Sequence, residues 1–256
     1  MATEIKIYGE RNTNTNYVRK LIELNLLVAQ LPGTVPRAIM KAQRLLPGEE
    51  MVRDIYFRAA FRATLGWKHA AVPPFHVLKR YGGDSGRVGY MTITKNPYSW
   101  LLSLYRRPYH LRRHERLSFE EFLQQPWKMT GRDNAGSRVS SPVDLWNIKN
   151  RSYRNLPQSR TIHATTERIF EDPSGVIKAI ADKFGIERHS DQFINHERST
   201  KDETKNGDYY RDYYINERWR ERLSPKAIGL INERLDSELL SSYGYEEISA
   251  SGRVWS

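Results

Sequence analysis

YGERNTNTNY, residues 8–17, joins a short apolar-alternating run, EIKIY (4–8), to a helical pattern over residues 15–31. A strand, a polar loop and a helix in that order are the opening unit of a parallel α/β sheet. Gly9 to Asn16 also has the spacing of the phosphate loop G-x-x-x-x-G-K-[ST]. Asn14 stands at the second glycine, Thr15 at the lysine, and Asn16 at the hydroxyl that binds magnesium. Asparagine tolerates the left-handed backbone, so Asn14 can make the turn. Thr15 brings no charge to the β- and γ-phosphates. The loop is therefore suited to present N–H groups to an anion at a helix start, and poorly suited to Mg·ATP. An ordinary polar turn capping a helix has the same composition.

The pattern continues along the chain. LGWKHAAV (65–72) reads as a second strand stopped by Pro73 and Pro74, RVGYMTIT (87–94) as a third, and TIHATTE (161–167) as a fourth. In the first helix Tyr17, Leu21, Leu24, Val28 and Leu31 fall at core-facing spacing. Asn96 caps and Pro97 opens the helix after the third strand. Ser118 and Glu121 have the spacing of a capping box. After the fourth strand, Asp172, Pro173 and Gly185 punctuate a helix whose Val176, Ile177, Ile180, Ala181 and Phe184 share one face. A final helix is expected from Ser224–Pro225 to about Ser242. DLWNIKNRSYRNL (144–156) reads as a helix packing Leu145, Trp146 and Ile148; the alternative puts Arg151 near a bound ligand. RSTKDETKNGD (198–208) is polar enough for a mobile loop. Residues 1–256 thus read as a single α/β domain in three layers, a central, mostly parallel sheet flanked by helices. Ligands are expected at the carboxyl ends of its strands.

The 256 residues include no cysteine, which excludes disulfides and thiol catalysis. Apolar residues make up 39%, with six Trp and fifteen Tyr, enough for a sizeable core. No run is long and apolar enough to span a bilayer, and MATEIKIYG enters the first strand directly, so neither a membrane span nor a leader is expected and the location is expected to be cytoplasmic. A formal charge of +11 points to an anionic partner. Local basic clusters occur at YRRPYHLRRHER and NERWRERL, without zinc-finger spacing or an aromatic RNA-binding pattern. A small polyanion is therefore favoured over nucleic acid. His76, His110, His114, His163, His189 and His196 show no metal spacing with carboxylates, so no metal is expected.

The second strand-to-helix junction, TITKNPYSWLLSLY, narrows the class. Lys95-Asn96-Pro97 after a strand, with Ser103 eight residues beyond Lys95, resembles the 3′-phosphate segment of sulfotransferases, R-N-P-x-[DE]-x-x-x-S. Lys95 keeps the charge of the arginine without its fork, and Ser99 replaces the acidic residue. Residues 11–17, RNTNTNY, then resemble the family's 5′-phosphosulfate loop, [KR]-[ST]-G-T-[TN]-[WFY]. Thr13, Thr15 and Tyr17 match; Asn14 replaces the glycine, and Asn12 falls at the catalytic lysine, with Arg11 just before it. TIHATTERIFEDPSGVIKAIADKFGI resembles the later strand and helix, with Glu167 on the family glutamate and Thr166 at its tyrosine. KNGDYYRDYYINERW and the closing helix resemble the C-terminal segment.

The resemblance implies transfer of the sulfuryl group of 3′-phosphoadenosine 5′-phosphosulfate (PAPS) to a hydroxyl or amine of a small-molecule or glycan acceptor. It implies a metal-independent reaction and a cofactor site of Arg11, Asn12, Thr13, Asn14, Thr15, Asn16 and Tyr17 with Lys95 and Ser103. Tyr17 is expected near the adenine. His69, in KHAAVP, is the expected base, set against a histidine with no role; Glu10 is the rival base. Arg11 or Lys68 is expected to stabilise the leaving group. The alternatives are a P-loop nucleotide kinase, against which Thr15 counts, and a non-enzymatic basic nucleic-acid-binding protein, which has no need of Lys-Asn-Pro and Ser103 after a strand.

Overall fold

The computed structural model describes residues 1–43, 49–109, 117–196 and 207–249. Its centre is a four-stranded sheet of β1 (Glu4–Gly9), β2 (Ala29–Gln30), β3 (Val88–Thr94) and, in the second half of the chain, β6 (Thr161–Thr165). The order is β2-β1-β3-β6, and every pairing is parallel. A separate antiparallel pair, β4 (Trp127–Lys128) and β5 (Arg138–Val139), lies between β3 and β6 in sequence.

Parallel strands joined by crossovers are covered on both faces, and β1 and β3 are buried almost throughout. On one face Ile5, Ile7, Met91, Ile93 and Ala164 meet α1 (Thr15–Asn25) and α10 (Pro173–Phe184). Each of the isoleucine and methionine side chains contributes roughly 1.5–3 kcal/mol on burial. On the other face Tyr8 and Tyr90 pack with Leu65, Leu78 and Tyr153. A larger core lies on α6 (Pro97–Arg106), α7 (Phe119–Gln124), α8 (Pro142–Ser152), α12 (Pro225–Asn232) and α13 (Ser237–Ser242). Short helices α2 (Arg37–Gln43), α3 (Glu49–Ala59), α4 (Phe61–Thr64) and α5 (Phe75–Arg80) fill the β2–β3 crossover, and α9 (Thr166–Glu171) and α11 (Gly207–Ile215) follow β6. No described helix is long and apolar enough to cross a membrane.

The predicted caps are present. Asn96 accepts from the Tyr98 N–H, Asp172 from that of Gly175, and Ser118 and Glu121 close a capping box. Gly185 ends α10 at φ 64°. Three expectations need correction. The first helix stops at Asn25, whose amide bonds both Leu21 O and the backbone of Ile194; Val28 and Leu31 lie beyond it, around the edge strand β2, which fills the place of a fourth strand. Residues 65–72 form no strand. Leu65 (φ 50°) and Gly66 (φ 89°) turn the chain, and the buried segment sends its backbone bonds to several partners: Gly9 N–H to Lys68 O, Lys68 N–H to Gly33 O, Ala71 N–H to Asp133 O. The closing helix is two, α12 and α13; the break docks on Asn147, which accepts from Asp236 N–H and donates to Arg234 O. Residues 198–206 of the polar stretch, with His110 and His114, lie outside the described residues, and Gly207 and Asp208 begin α11.

Candidate active site

The loop between β1 and α1 is tightly folded. A β-carbon at Gly9 would lie 2.8 Å from Thr15 Cγ2 and 2.9 Å from Thr13 Oγ1, so only glycine fits. Asn12 (φ 68°) and Asn14 (φ 62°) both take the left-handed conformation, the geometry that turns successive N–H groups toward an anion. The loop carbonyls are held from the protein side: Glu10 O by Thr13 Oγ1 at 2.6 Å, Arg11 O by Trp100 Nε1 at 2.8 Å, and Thr13 O by Thr166 Oγ1 at 3.3 Å. The N–H groups of the first turn of α1 have no acceptor within their own helix.

Over this loop opens a cavity of about 430 Å³, within the usual range for a small-molecule site. Arg11, Asn12, Asn14, Thr15, Asn16, Tyr17 and His69 line it; Thr13, whose hydroxyl turns inward, does not. Val35, Phe57 and Trp67, a small apolar cluster of their own with Ala70, form another wall. A second lobe of about 110 Å³ adjoins the first between the β1–α1 loop, the end of α6 and α11. It shares Asn12, Asn14, Arg107 and Tyr210 with the first and adds Ser103, Arg106, Tyr209, Tyr213 and Tyr214. Both lobes share the loop that follows the carboxyl end of β1, the side on which a parallel sheet binds its ligands.

His69 is half-buried at the rim of the first lobe, edge-on to Trp67 at 5.0 Å. Its Nδ1 lies 2.6 Å from Gly9 O. A carbonyl only accepts, so Nδ1 carries the proton and Nε2 the lone pair. Burial, followed by the charge of Lys68, holds the imidazole well below the ordinary histidine pKa despite the Gly9 bond. Arg11 lays its guanidinium over Tyr109 (4.3 Å) and Trp67 (5.1 Å). Lys68, 7% exposed, does not line the cavity; its ammonium donates to Asn16 Oδ1 at 2.5 Å. Tyr17 stacks on Phe170 at 5.1 Å and donates to Asn195 Oδ1.

Two predicted residues sit behind the surface. Glu10, 2% exposed, accepts from Arg11 N–H and from Tyr109 Oη at 2.9 Å, and ion-pairs with Lys149 at 3.3 Å. It does not line either lobe. Lys95, 1% exposed, lies beneath the second lobe and donates to Ser103 Oγ at 2.8 Å and Tyr214 Oη at 3.1 Å. Burial lowers its pKa, against the pull of Glu167. Glu167 is itself raised by burial; it accepts from Asn96 N–H and Tyr245 Oη. Trp146 and Leu145 are core, and Trp146 Nε1 donates to Lys95 O at 3.0 Å. Arg151 is exposed and pairs with Asp236, away from both lobes.

Sequence reasoning missed Arg106, Arg107, Arg132 and Lys149. The first two stood inside a noted basic cluster, three and four residues after Ser103, a helical spacing that could have placed them beside it. Nothing in the sequence marks Arg132, held by Glu50 and Asp54 over the Trp67 ring. Among the described residues no group of three or more His, Asp or Glu could hold a metal ion.

No protein-family model matches the chain, and no curated protein matches it. Among solved structures it is similar to the sulfotransferase domain from the Synechococcus PCC 7002 olefin synthase. Identity is 12% and the TM-score 0.38, over 91% of this chain and 94% of that one. At that distance only the chain's own residues speak to its chemistry.

Proposed function

We propose that the protein is a sulfotransferase that takes the sulfuryl group from PAPS and passes it to a hydroxyl or amine. One observation carries this reading: two joined lobes, one over the β1–α1 loop and one between that loop, the end of α6 and α11, above Lys95. The first is lined by the 11–17 loop, the second by Ser103, Arg106 and Arg107. A nucleotide with phosphates at both 5′ and 3′ positions matches such a pair of anion sites. A kinase reading is less favoured, because Thr15 and Asn16 stand where Mg·ATP needs a lysine and a hydroxyl.

The donor's 5′-phosphosulfate fits the loop between β1 and α1, where N–H groups and the helix dipole favour an anion. Its 3′-phosphate fits the second lobe, with Ser103, Arg106 and Arg107 in contact and Lys95 holding the Ser103 and Tyr214 hydroxyls from beneath. Tyr210, which lines both lobes, is a better partner for the adenine than Tyr17, whose ring is already on Phe170. In the reaction the bond from sulfur to the 5′-phosphate oxygen breaks and a bond to the acceptor atom forms. The acceptor's proton goes to His69 Nε2, and the bisphosphate leaves with the electron pair beside Arg11. The sulfuryl carries a single charge, so positioning and fixed cations supply most of the catalysis.

The direct test is incubation with PAPS and a panel of acceptors in EDTA. Adenosine 3′,5′-bisphosphate and a sulfated acceptor are the expected products; ATP consumption with magnesium, and none of PAPS, would favour the kinase. Replacing Arg107 by Ala is expected to weaken bisphosphate binding by about 1.5–3 kcal/mol, the scale of a charge-assisted contact. Ser103→Ala should cost less. Adenosine 5′-phosphosulfate, which lacks the 3′-phosphate, should lose little in either variant by calorimetry, and equal losses for both ligands would move the 3′-phosphate out of the second lobe.

A further inference from the structure

We infer that Lys149, on α8, is a positioning residue: its single ammonium fixes His69 and Arg11 relative to each other. The role rests on the sulfuryl-transfer reading for its purpose but not for its geometry. Lys149 is fully buried. Its Nζ donates to His69 O at 2.6 Å and to Asp133 Oδ1 at 2.9 Å, and pairs with Glu10 Oε2 at 3.3 Å. Three chain segments far apart in sequence meet at one atom: the phosphate loop, the segment that carries His69, and the turn after β4.

Each contact leads toward the cavity. Glu10, on the far side of the ammonium, takes the Arg11 N–H and the Tyr109 hydroxyl, and Tyr109 is the ring on which the Arg11 guanidinium lies. Asp133 takes the N–H and hydroxyl of Thr130 with its other oxygen, and its carbonyl accepts from Ala71 N–H at 2.8 Å. His69 is thus held at both ends, by Lys149 at its carbonyl and by Gly9 O at its ring. The segment around it is irregular backbone, with no strand ladder to set its position. A further bond from Val72 N–H to Ser152 Oγ at 2.8 Å ties it again to the end of α8. Burial raises the Asp133 carboxyl, and Lys149 with Thr130 outweigh it, so the carboxylate stays charged.

A buried ion cluster is weak evidence for stability, since apolar residues of similar volume often serve as well. Its use here is geometric, and a displacement of about 1 Å at a site costs on the order of 10²-fold in rate.

Lys149→Met tests this with two readouts. Turnover per folded molecule is expected to fall ~10²-fold with the donor's KM changed less than about threefold, a loss of positioning rather than binding. The ¹⁵N spectrum of the His69 ring, one neutral Nδ1–H tautomer in the parent, should become a tautomer mixture. Its pKa should stay below the ordinary histidine value, because burial and then Lys68 are the main causes that hold it down. A Lys149→Met protein that melts lower but keeps the parent's ring spectrum and turnover overturns the inference. If the single variant fails to fold, Glu10→Gln/Asp133→Asn/Lys149→Met, in which no charge is left unpaired, gives the same two readouts and is judged by them. A parent that transfers no sulfuryl group defeats the functional reading alone, and the ring spectra still decide the role of Lys149.

Discussion

His69→Ala lowers the turnover of sulfuryl transfer about 10²–10⁴-fold, the usual contribution of a positioned base. Affinity for adenosine 3′,5′-bisphosphate stays nearly unchanged, because the ring lies at the rim of the first lobe and bonds Gly9 O rather than the anion site. The pH dependence follows from the direction of its pKa. Burial first, then Lys68, hold the imidazole well below its ordinary value. A base works in its neutral form, so the rate falls only as pH drops below the ordinary histidine range, and the neutral region is flat. Single-turnover rates at several pH values, with binding measured in parallel by calorimetry, check both statements. Full transfer activity in His69→Ala would place the base elsewhere. Glu10, the carboxylate alternative, faces Lys149 and Tyr109 instead of the cavity.

Arg11→Ala is expected to cost about 10²–10³-fold in turnover, the range for removing one preorganised group that stabilises developing charge. The leaving bisphosphate gains a negative charge at its 5′ end as sulfur departs. Arg11 lines the first lobe beside the β1–α1 loop, its guanidinium over the Tyr109 and Trp67 rings. A planar guanidinium stacks where an ammonium does not, so Arg11→Lys is expected to recover only part of the rate. Donor affinity should fall less than turnover, because the cation's contact strengthens as charge develops. Loss of turnover in Lys68→Ala, with Arg11→Ala near the parent, would hand this role to Lys68 through Asn16.

Much of this arrangement is legible in the sequence, and the reasons differ by element. The β1–loop–α1 unit and the β3–Lys-Asn-Pro–α6 junction are local. Alternation, a capping asparagine and a proline at the first helical position each act within a few residues. The end of α1 is not local. Val28 and Leu31 continue the helical period, and the helix stops because Asn25 bonds a chain segment 169 residues away. Residues 65–72 misled for a similar reason: a buried apolar run looks like a strand whether its backbone bonds form a ladder or go singly to Gly9, Gly33 and Asp133. In the site, the loop residues and Ser103 carry recognisable spacing. Arg132, Asp133 and Lys149 converge only through tertiary packing, and no spacing announces them. Lys95 was legible as a charge at the second junction, but not as one buried under Ser103 and Tyr214.

Thermal unfolding with three nucleotides tests the central claim most directly. At about 100 times its dissociation constant, adenosine 3′,5′-bisphosphate adds ~2.7 kcal/mol, which for a chain of this size raises Tm by roughly 5–10 °C. The predicted result is that rise in EDTA, with a smaller one for adenosine 5′-monophosphate at equal concentration. A larger rise with ATP and magnesium than with the bisphosphate, or none with any of the three, would contradict a site built for phosphates on both the 3′ and 5′ positions of one ribose.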